Sequence, residues 1–382
     1  MTALAAASPS ALARGPFPLA AARPRRVAIV HYWLVGMRGG ERVLERLIRL
    51  FPQADLFTHV LVPEAISQAI RSRPITTSFI QKLPGAARHY QKYLPLMPMA
   101  LEQFDLRGYD LVISSESGPA KGIIAPPDAL HVCYCHSPMR YIWDHSPDYA
   151  ASAGRFTRAQ MSWIFPLLRA WDTSSSARVD RIIANSRFVQ RRIRHCWGRD
   201  AEVVHPPVEI DLFSRRAEPT SRYLWIGQMT AYKRPDLVVD AFNTLRLPLL
   251  MVGDGELAAR IRRRAGPNIE VVPKLGFDAL RAAYAEARAL VFSAEEDFGI
   301  VPVEAMASGR PVLAYGRGGV LDTVLEGETG LFFTEQTVES IIDGVRALER
   351  WLPYFDPDRA VAQARKFAPE TFDRGIMAAI EP

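Results

Sequence analysis

Ala294-Glu295-Glu296-Asp297-Phe298-Gly299-Ile300-Val301-Pro302-Val303-Glu304-Ala305-Met306-Ala307-Ser308-Gly309-Arg310-Pro311-Val312 is the stretch on which the reading of this chain turns. The apolar run before it, 289–293, is expected to be a strand, and a helix is expected to open near Pro302. An acidic cluster and a glycine stand between the two. A helix N-terminus presents unpaired N–H groups and a partial positive charge, which suits a phosphate. Carboxylates beside such a terminus make chemical sense when they hold the hydroxyls of a sugar attached to that phosphate. Glu296 and Glu304 have seven residues between them, one before the turn and one about a helical turn inside it. An acidic cap complementing the helix dipole would explain an arbitrary pair of this kind. The flanking Phe-Gly-Ile-Val-Pro and Glu-Ala-Met-Ala-Ser-Gly-Arg-Pro-Val favour a binding turn.

Outward from this turn the chain alternates. Apolar runs at 223–227, 249–252, 269–272, 289–293, 312–315 and 331–333 predict strands, and helical spacing predicts helices at 236–245, 256–265, 277–287, 303–308 and 335–352. An earlier series has strands at 27–30, 55–62, 111–114, 131–135, 181–185 and 201–205, with helices at 41–50 and 187–197. The segment 63–106, rich in Pro and aromatic residues, is expected to form helices and loops over a cleft. Two successive α/β series in 382 residues, divided near Pro206-Pro207-Val208, predict two Rossmann-like domains facing across a cleft, with ligands at the C-terminal ends of the strands. The expected division is a disordered leader at 1–25, an N-terminal Rossmann-like domain at 26–207 and a C-terminal Rossmann-like domain at 208–365. A C-terminal helix at 366–382 is expected to pack back on the first.

Composition narrows the function. Hydrophobic residues make up 48% and charged residues 23%, as in ordinary globular proteins, and no apolar run reaches the ~18 residues of a membrane span. A net charge of +6 and a pI near 9.3 point to an anionic partner. No nucleic-acid module accompanies the excess of Arg, so a phosphorylated small molecule or an anionic membrane surface is expected rather than nucleic acid. Three cysteines, Cys133, Cys135 and Cys196, suggest reduced thiols in a cytoplasm. Cys133-Tyr134-Cys135-His136 lacks a second ligand pair, so buried core thiols are expected and no metal or cofactor.

Further candidates sit at strand ends. The loop Gly36-Met37-Arg38-Gly39-Gly40 lets backbone amides approach a phosphate, and it departs from the G-x-G-x-x-G dinucleotide pattern. Lys233 and Arg234, in Gly227-Gln228-Met229-Thr230-Ala231-Tyr232-Lys233-Arg234-Pro235, are cations placed for a diphosphate. Gly253 and Asp254 form a tight turn able to admit a base or ribose. His136 closes a first-domain strand, where it is a catalyst or a structural histidine.

With these residues in place the chain resembles the retaining GT-B glycosyltransferases of family four, also called group 1, from about Val27 to the end. Glu296, Phe298, Gly299 and Glu304 match that family's Glu-x7-Glu block. The resemblance is closest to bacterial polysaccharide mannosyltransferases, through His31-Tyr32-Trp33-Leu34, Gly36-Met37-Arg38-Gly39-Gly40-Glu41 and Cys135-His136-Ser137-Pro138-Met139-Arg140-Tyr141. It implies that Gly39 and Gly40 contact the donor diphosphate or the acceptor, that His136 hydrogen-bonds the transferred sugar, and that Lys233 neutralises the leaving diphosphate. It implies that Glu296, with the amides of Phe298 and Gly299 and the adjacent Ile300, holds sugar hydroxyls and distal phosphate, and that Glu304 holds the ribose. The implied reaction is metal-independent and retaining, from a nucleotide diphospho-sugar such as GDP-mannose to a lipid-linked saccharide at the cytoplasmic face of the inner membrane. One departure is Gln228, where the family commonly carries Arg. A UDP-sugar donor and a non-catalytic binding subunit are the alternatives.

Overall fold

The computed structural model describes residues 26–144, 155–215 and 218–381; the leader expected at 1–25 lies outside them. A first sheet contains β1 (Val27–His31), β2 (Asp55–Thr58), β3 (Ile75–Thr77), β4 (Leu111–Glu116), β5 (Leu130–Cys135), β6 (Arg181–Ala184) and β7 (Glu202–Val203). The second contains β8 (Tyr223–Ile226), β9 (Leu249–Val252), β10 (Ile269–Val272), β11 (Leu290–Phe292), β12 (Val312–Tyr315) and β13 (Gly330–Phe333). Their orders are β3-β2-β1-β4-β5-β6-β7 and β10-β9-β8-β11-β12-β13, and every pairing is parallel.

Parallel strands covered on both faces need apolar side chains throughout. All residues of β1, β4 and β5 are buried. Helix Gly39–Leu50 puts Val43, Leu44, Leu47 and Ile48 against Val27 and Ile29 of β1, while Ala28 and Val30 face a second cluster. Each sheet reverses direction once, between β1 and β4 and between β8 and β11. That reversal opens the crevice where doubly wound folds take ligands. The loops leaving β1, β8 and β11 carry the glycine loop, Lys233 and Glu296, and β4 ends at Glu116.

Several boundaries differ from the sequence expectation. The strand at 55–62 stops at Thr58, with an isolated bridge from Leu34 to Leu61 continuing the line. Edge strand β3, whose Thr residues give no apolar alternation, was not anticipated. The strand at 201–205 shrinks to Glu202–Val203, ahead of His205-Pro206-Pro207, because proline has no N–H for a ladder. The helix expected from near Pro302 starts at Ile300, with Gly299 as its left-handed cap at φ 88. Pro302 fits the first turn, where its missing N–H is not needed.

Helix Pro369–Ile380 follows the second sheet but buries Phe372, Ile376, Ala379 and Ile380 in the β1 cluster of the first. Arg46 makes a two-pronged pair with Asp373, one contact at 2.7 Å, and Phe372 meets Tyr134 edge-on at 5.5 Å. Phe372→Ala is expected to cost about 3–5 kcal/mol and to lower the urea midpoint of the full chain. A midpoint within error of wild type would show that this strap does not hold the first domain.

Candidate active site

The second domain supplies a cation and a carboxylate. After β8 the chain turns through Gly227 into a short helical turn, Ala231–Lys233. Arg234 then takes a left-handed conformation at φ 51, uncommon for a non-glycine residue, before Pro235 opens helix Pro235–Leu245. Ser293, following β11, holds this turn: its hydroxyl donates to the Lys233 carbonyl at 2.7 Å and accepts the Trp225 indole N–H at 3.2 Å. The Lys233 side chain lies over Gly227, where an added Cβ would come within 3.2 Å of Lys233 Cδ. Its Nζ reaches Glu296 Oε1 at 2.6 Å. Burial works to lower the Lys233 pKa, but the Glu296 carboxylate and Tyr232 outweigh it, and the net shift is upward. Lys233 therefore stays charged.

The Glu296 turn is fixed from several sides. Gly319 N–H donates to the Glu296 carbonyl at 2.8 Å. A Cβ on Gly318, at φ 84, would fall 2.4 Å from that carbonyl oxygen, so only glycine fits there. Asp297 turns the other way, to Arg140 at 2.7 Å and Arg192 at 3.1 Å, both carried by the first sheet's segment of the chain. The Ser186 hydroxyl donates to the Asp297 carbonyl. Phe298 is buried against His205 and Phe367, each 5.5 Å between ring centroids.

The first domain meets this turn with its glycine loop. A Cβ on Gly39 would stand 3.3 Å from Ile300 Cδ1, and one on Gly40 would stand 2.5 Å from the Tyr32 hydroxyl and 3.7 Å from His136 Nε2. His136 follows β5; its N–H donates to the Glu116 carbonyl at 2.8 Å, and its Nε2 lies 2.9 Å from Ser115 Oγ. Burial first, and then nearby His31, lower its pKa to about 3, so His136 is neutral at working pH.

Gly39, Gly40, His136, Lys233, Glu296, Phe298, Gly299, Ile300 and Glu304 are thus carried by elements that meet where the two sheets face. Glu304 is buried one turn into helix Ile300–Ala307; its Oε2 accepts the Tyr284 hydroxyl at 2.6 Å and its Oε1 faces Arg42 at 3.3 Å. Other candidates are engaged elsewhere. Arg234 pairs with Asp236 at 3.2 Å, and Asp254 pairs with Arg262 at 3.1 Å on an exposed flank. Gly253 serves packing, since a Cβ there would sit 1.9 Å from the Gly227 carbonyl oxygen. Gln228 is exposed. The cysteines are free and buried in one apolar cluster, and among the described residues no group of His, Cys, Asp or Glu is placed to hold a metal ion. Sequence reading passed over Arg42, Tyr284, Asp297, Arg140, Arg192 and Gly318-Gly319. The last pair had a usable signal, a glycine-rich loop after a strand, the same signal that singled out Gly39-Gly40.

Two outcomes are expected. Asp297→Asn removes the carboxylate shared by Arg140 and Arg192, leaving Arg192 with Asp144 at 2.6 Å; because the group is partly exposed and Arg192 keeps a partner, the cost is expected near the low end for such pairs, about 2 kcal/mol by urea unfolding, and a change under about 0.5 kcal/mol would count against the pairing. Burial also holds His59 and His131 at about 4 and His136 at about 3. The unfolded chain binds protons at these positions below about 6.5 while the folded chain does not. The histidine part of the stability is therefore flat above about pH 6.5 and falls toward pH 4, by about 1.4 kcal/mol per unit for each histidine; Glu116, pushed up to about 8 by burial, binds a proton on folding between about pH 8 and 4.5 and opposes one of them. Melts across this range should show His59→Gln losing stability less steeply than wild type, by about 1.4 kcal/mol per pH unit, and equal slopes would count against a buried neutral His59.

Residues 37–212 match the family described as Glycosyltransferase Family 4, and residues 220–350 match Glycosyl transferases group 1. The GDP-mannose-dependent alpha-mannosyltransferase of Mycobacterium tuberculosis (strain CDC 1551 / Oshkosh) is 30% identical over 193 residues, 48% of this chain and 50% of that protein. The alpha-1,3/1,6-mannosyltransferase alg-2 of Neurospora crassa is 26% identical over 249 residues, 50% and 52% of the two chains. The chain spans about half the length of the curated relatives it matches. Among solved structures, Anabaena Alr3699/HepE in complex with UDP-glucose aligns with a TM-score of 0.65 at 16% identity, covering 92% of this chain and 98% of that one. Sucrose-phosphate synthase from Thermosynechococcus elongatus aligns at 0.67 and 17%, covering 92% and 97%. Two parallel Rossmann-like sheets of this order, matched over nine-tenths of the chain, are the GT-B fold, and the chain belongs to the family-four, group 1 glycosyltransferases.

Proposed function

We propose that this chain transfers a hexose, mannose from GDP-mannose, to a lipid-linked oligosaccharide in surface-polysaccharide synthesis, with retention of configuration. The observation that carries the reading is the Lys233–Glu296 pair, 2.6 Å apart where β8 and β11 end, beside the helix start that touches Gly39. A diphosphate bound here meets a charged lysine, whose ammonium has three hydrogens and gives only one to Glu296, and the free N–H groups at Ile300. As the C1–O bond loosens, these groups stabilise the departing diphosphate. The acceptor hydroxyl enters on the same face of the sugar, its oxygen bonds C1, and its proton passes to the leaving phosphate oxygen. Glu296 and neutral His136 hold sugar hydroxyls and Glu304 the ribose. Closure of the two domains limits hydrolysis.

The mannosyltransferase relatives support the choice of mannose. A UDP-sugar is the second reading, favoured by the structural neighbour solved with UDP-glucose. A non-catalytic binding subunit is the third, resting on Gln228. For the acceptor, the support is surface chemistry. No helix among the described residues is long and apolar enough to cross a membrane, yet on helix Arg155–Ser176 Trp163 and Leu167 are 81% and 72% exposed. This ridge is suited to rest on the cytoplasmic leaflet of the inner membrane. Helix Arg187–Trp197 commits Arg192 to Asp297 and Asp144 and leaves Arg191 and Arg194 exposed.

The test supplies GDP-mannose, UDP-glucose and related donors with a membrane lipid extract. Lipid-dependent transfer from GDP-mannose is expected; free sugar released without an acceptor requirement would sink the reading. Lys233→Ala and Glu296→Ala should each lower transfer by about a hundredfold or more in a protein that still unfolds cooperatively, and full activity in both would remove the site assigned here.

A further inference from the structure

Behind His136 lies a chain of buried polar groups that the transfer mechanism does not use. Ser115 Oγ stands 2.9 Å from His136 Nε2 on one side and 3.0 Å from His31 Nδ1 on the other. His31 Nε2 then faces Glu41 Oε1 at 3.6 Å, beyond hydrogen-bond length but within ion contact. Glu41 Oε2 accepts the Arg38 N–H at 2.8 Å, which anchors the carboxylate at the start of helix Gly39–Leu50. His31, Ser115 and Glu41 are 1%, 0% and 3% exposed, so no bulk water is available to satisfy them in another way. The relay crosses three elements, from the first turn of that helix through the last residue of β1 and the end of β4 to the residue after β5.

The number of hydrogens decides its direction. Burial works to raise the Glu41 pKa, but His31 and the backbone N–H groups outweigh it and lower it, so Glu41 is a carboxylate that can only accept. A bare lone pair on His31 Nε2 would set acceptor against acceptor in a dry site, so Nε2 carries the hydrogen. With this one hydrogen on the ring, His31 has only a lone pair at Nδ1, which takes the single Ser115 O–H. Ser115 Oγ has lone pairs left, and the remaining group in reach is His136 Nε2, which must donate to it. His136 Nδ1, with no hydrogen-bond partner among the described residues, is left as a lone pair.

We propose that Glu41, His31 and Ser115 are positioning residues that lock His136 as its Nε2–H tautomer, so that its Nδ1 serves as the hydrogen-bond acceptor for a hydroxyl of the transferred sugar. This rests on the reading of His136 as a sugar contact, and it deepens that reading. The site demands a substituent that can donate, so a sugar with a hydroxyl at the contacted carbon is accepted. One with hydrogen or an ether oxygen there leaves Nδ1 unpaired in a buried site and is rejected. The logic is that of a second partner fixing an imidazole's tautomer and orientation.

The experiment combines nitrogen-15 NMR of the histidine rings with steady-state transfer from GDP-mannose. Wild type is expected to show His136 protonated at Nε2 and bare at Nδ1. Ser115→Ala should give mixed tautomers and lower kcat about 10- to 100-fold, with GDP-mannose affinity by calorimetry nearly unchanged. Ser115→Thr, which keeps the hydroxyl, should restore both the spectrum and the rate. A wild-type His136 protonated at Nδ1, or a Ser115→Ala protein whose tautomer is unaltered, overturns the relay. The spectra do not require turnover. A protein that transfers no sugar, or a His136→Ala variant as active as wild type, therefore counts against the transferase site while the spectra still decide the relay.

Discussion

Two adjacent carboxylates on one turn face opposite ways, and the relation between the domains depends on that divergence. Glu296 looks into its own domain, to Lys233 at 2.6 Å, while Asp297 looks out, to Arg140 at 2.7 Å and Arg192 at 3.1 Å. An exposed pair such as Arg107 with Asp105 is screened by water and contributes little. The Asp297 group is only 22% exposed and Arg192 9%, so its attraction is screened far less. The consequence is positional as well as energetic. Arg140 lies four residues after His136 and Asp297 one residue after Glu296, so the distance between those two candidate groups is set by an ion cluster beside them.

The first domain can supply a fixed surface because its floor is stiff. Lys121 and Asp172, both 0% exposed, form an ion pair under the end of β4. The second Asp172 oxygen accepts the indole N–H of Trp197 at 2.7 Å and of Trp143 at 2.8 Å, and the Lys121 ammonium lies over the Trp197 ring at 4.3 Å. A buried ion pair repays its desolvation only when its remaining hydrogen-bonding capacity is met, and here aromatic N–H groups meet it. Glu116, the last residue of β4, accepts the Lys121 N–H at 2.6 Å, yet burial still pushes its pKa up to about 8. Ser115, which touches His136, stands between this group and the His31 side of the sheet.

Most strands were legible because parallel strands are apolar on both faces and end in turn-forming residues: 249–252, 269–272 and 312–315 agree to the residue. β3 was not legible because an edge strand needs few apolar residues. Within the candidate site, Lys233, Glu296 and His136 stand out in the sequence because each follows a strand in a turn of unusual composition. Asp297 was visible only as part of an acidic cluster, since its partners lie 105 and 157 residues away and nothing local marks them. His31 and Ser115 read as ordinary strand residues, because a relay is assembled by register between β1, β4 and β5 and leaves no pattern along any one of them. Arg234 and Asp254 were legible as charges but not as neutralised ones, their partners being Asp236 and Arg262.

Glu304 shows how a residue can be both buried and available. Its Oε2 is held at 2.6 Å by Tyr284, a side chain with no exposed surface, and that bond fixes the carboxylate plane. Its Oε1 meets Arg42 at 3.3 Å, and the Arg42 side chain is 56% exposed, so this pair is worth about 0–1 kcal/mol. A buried, correctly aimed hydrogen bond to a carboxylate is worth about 1.5–3 kcal/mol. On the function proposed for this site, a ribose diol can therefore take the place of Arg42 with a net gain, whereas it cannot displace Tyr284. Arg42 belongs to the helix that begins at Gly39, so the exchange at Glu304 also releases a link between that helix and the second domain. Ribose binding and the Arg42 contact are then alternatives at one oxygen atom, and donor occupancy is coupled to how closely the glycine loop approaches the helix beginning at Ile300.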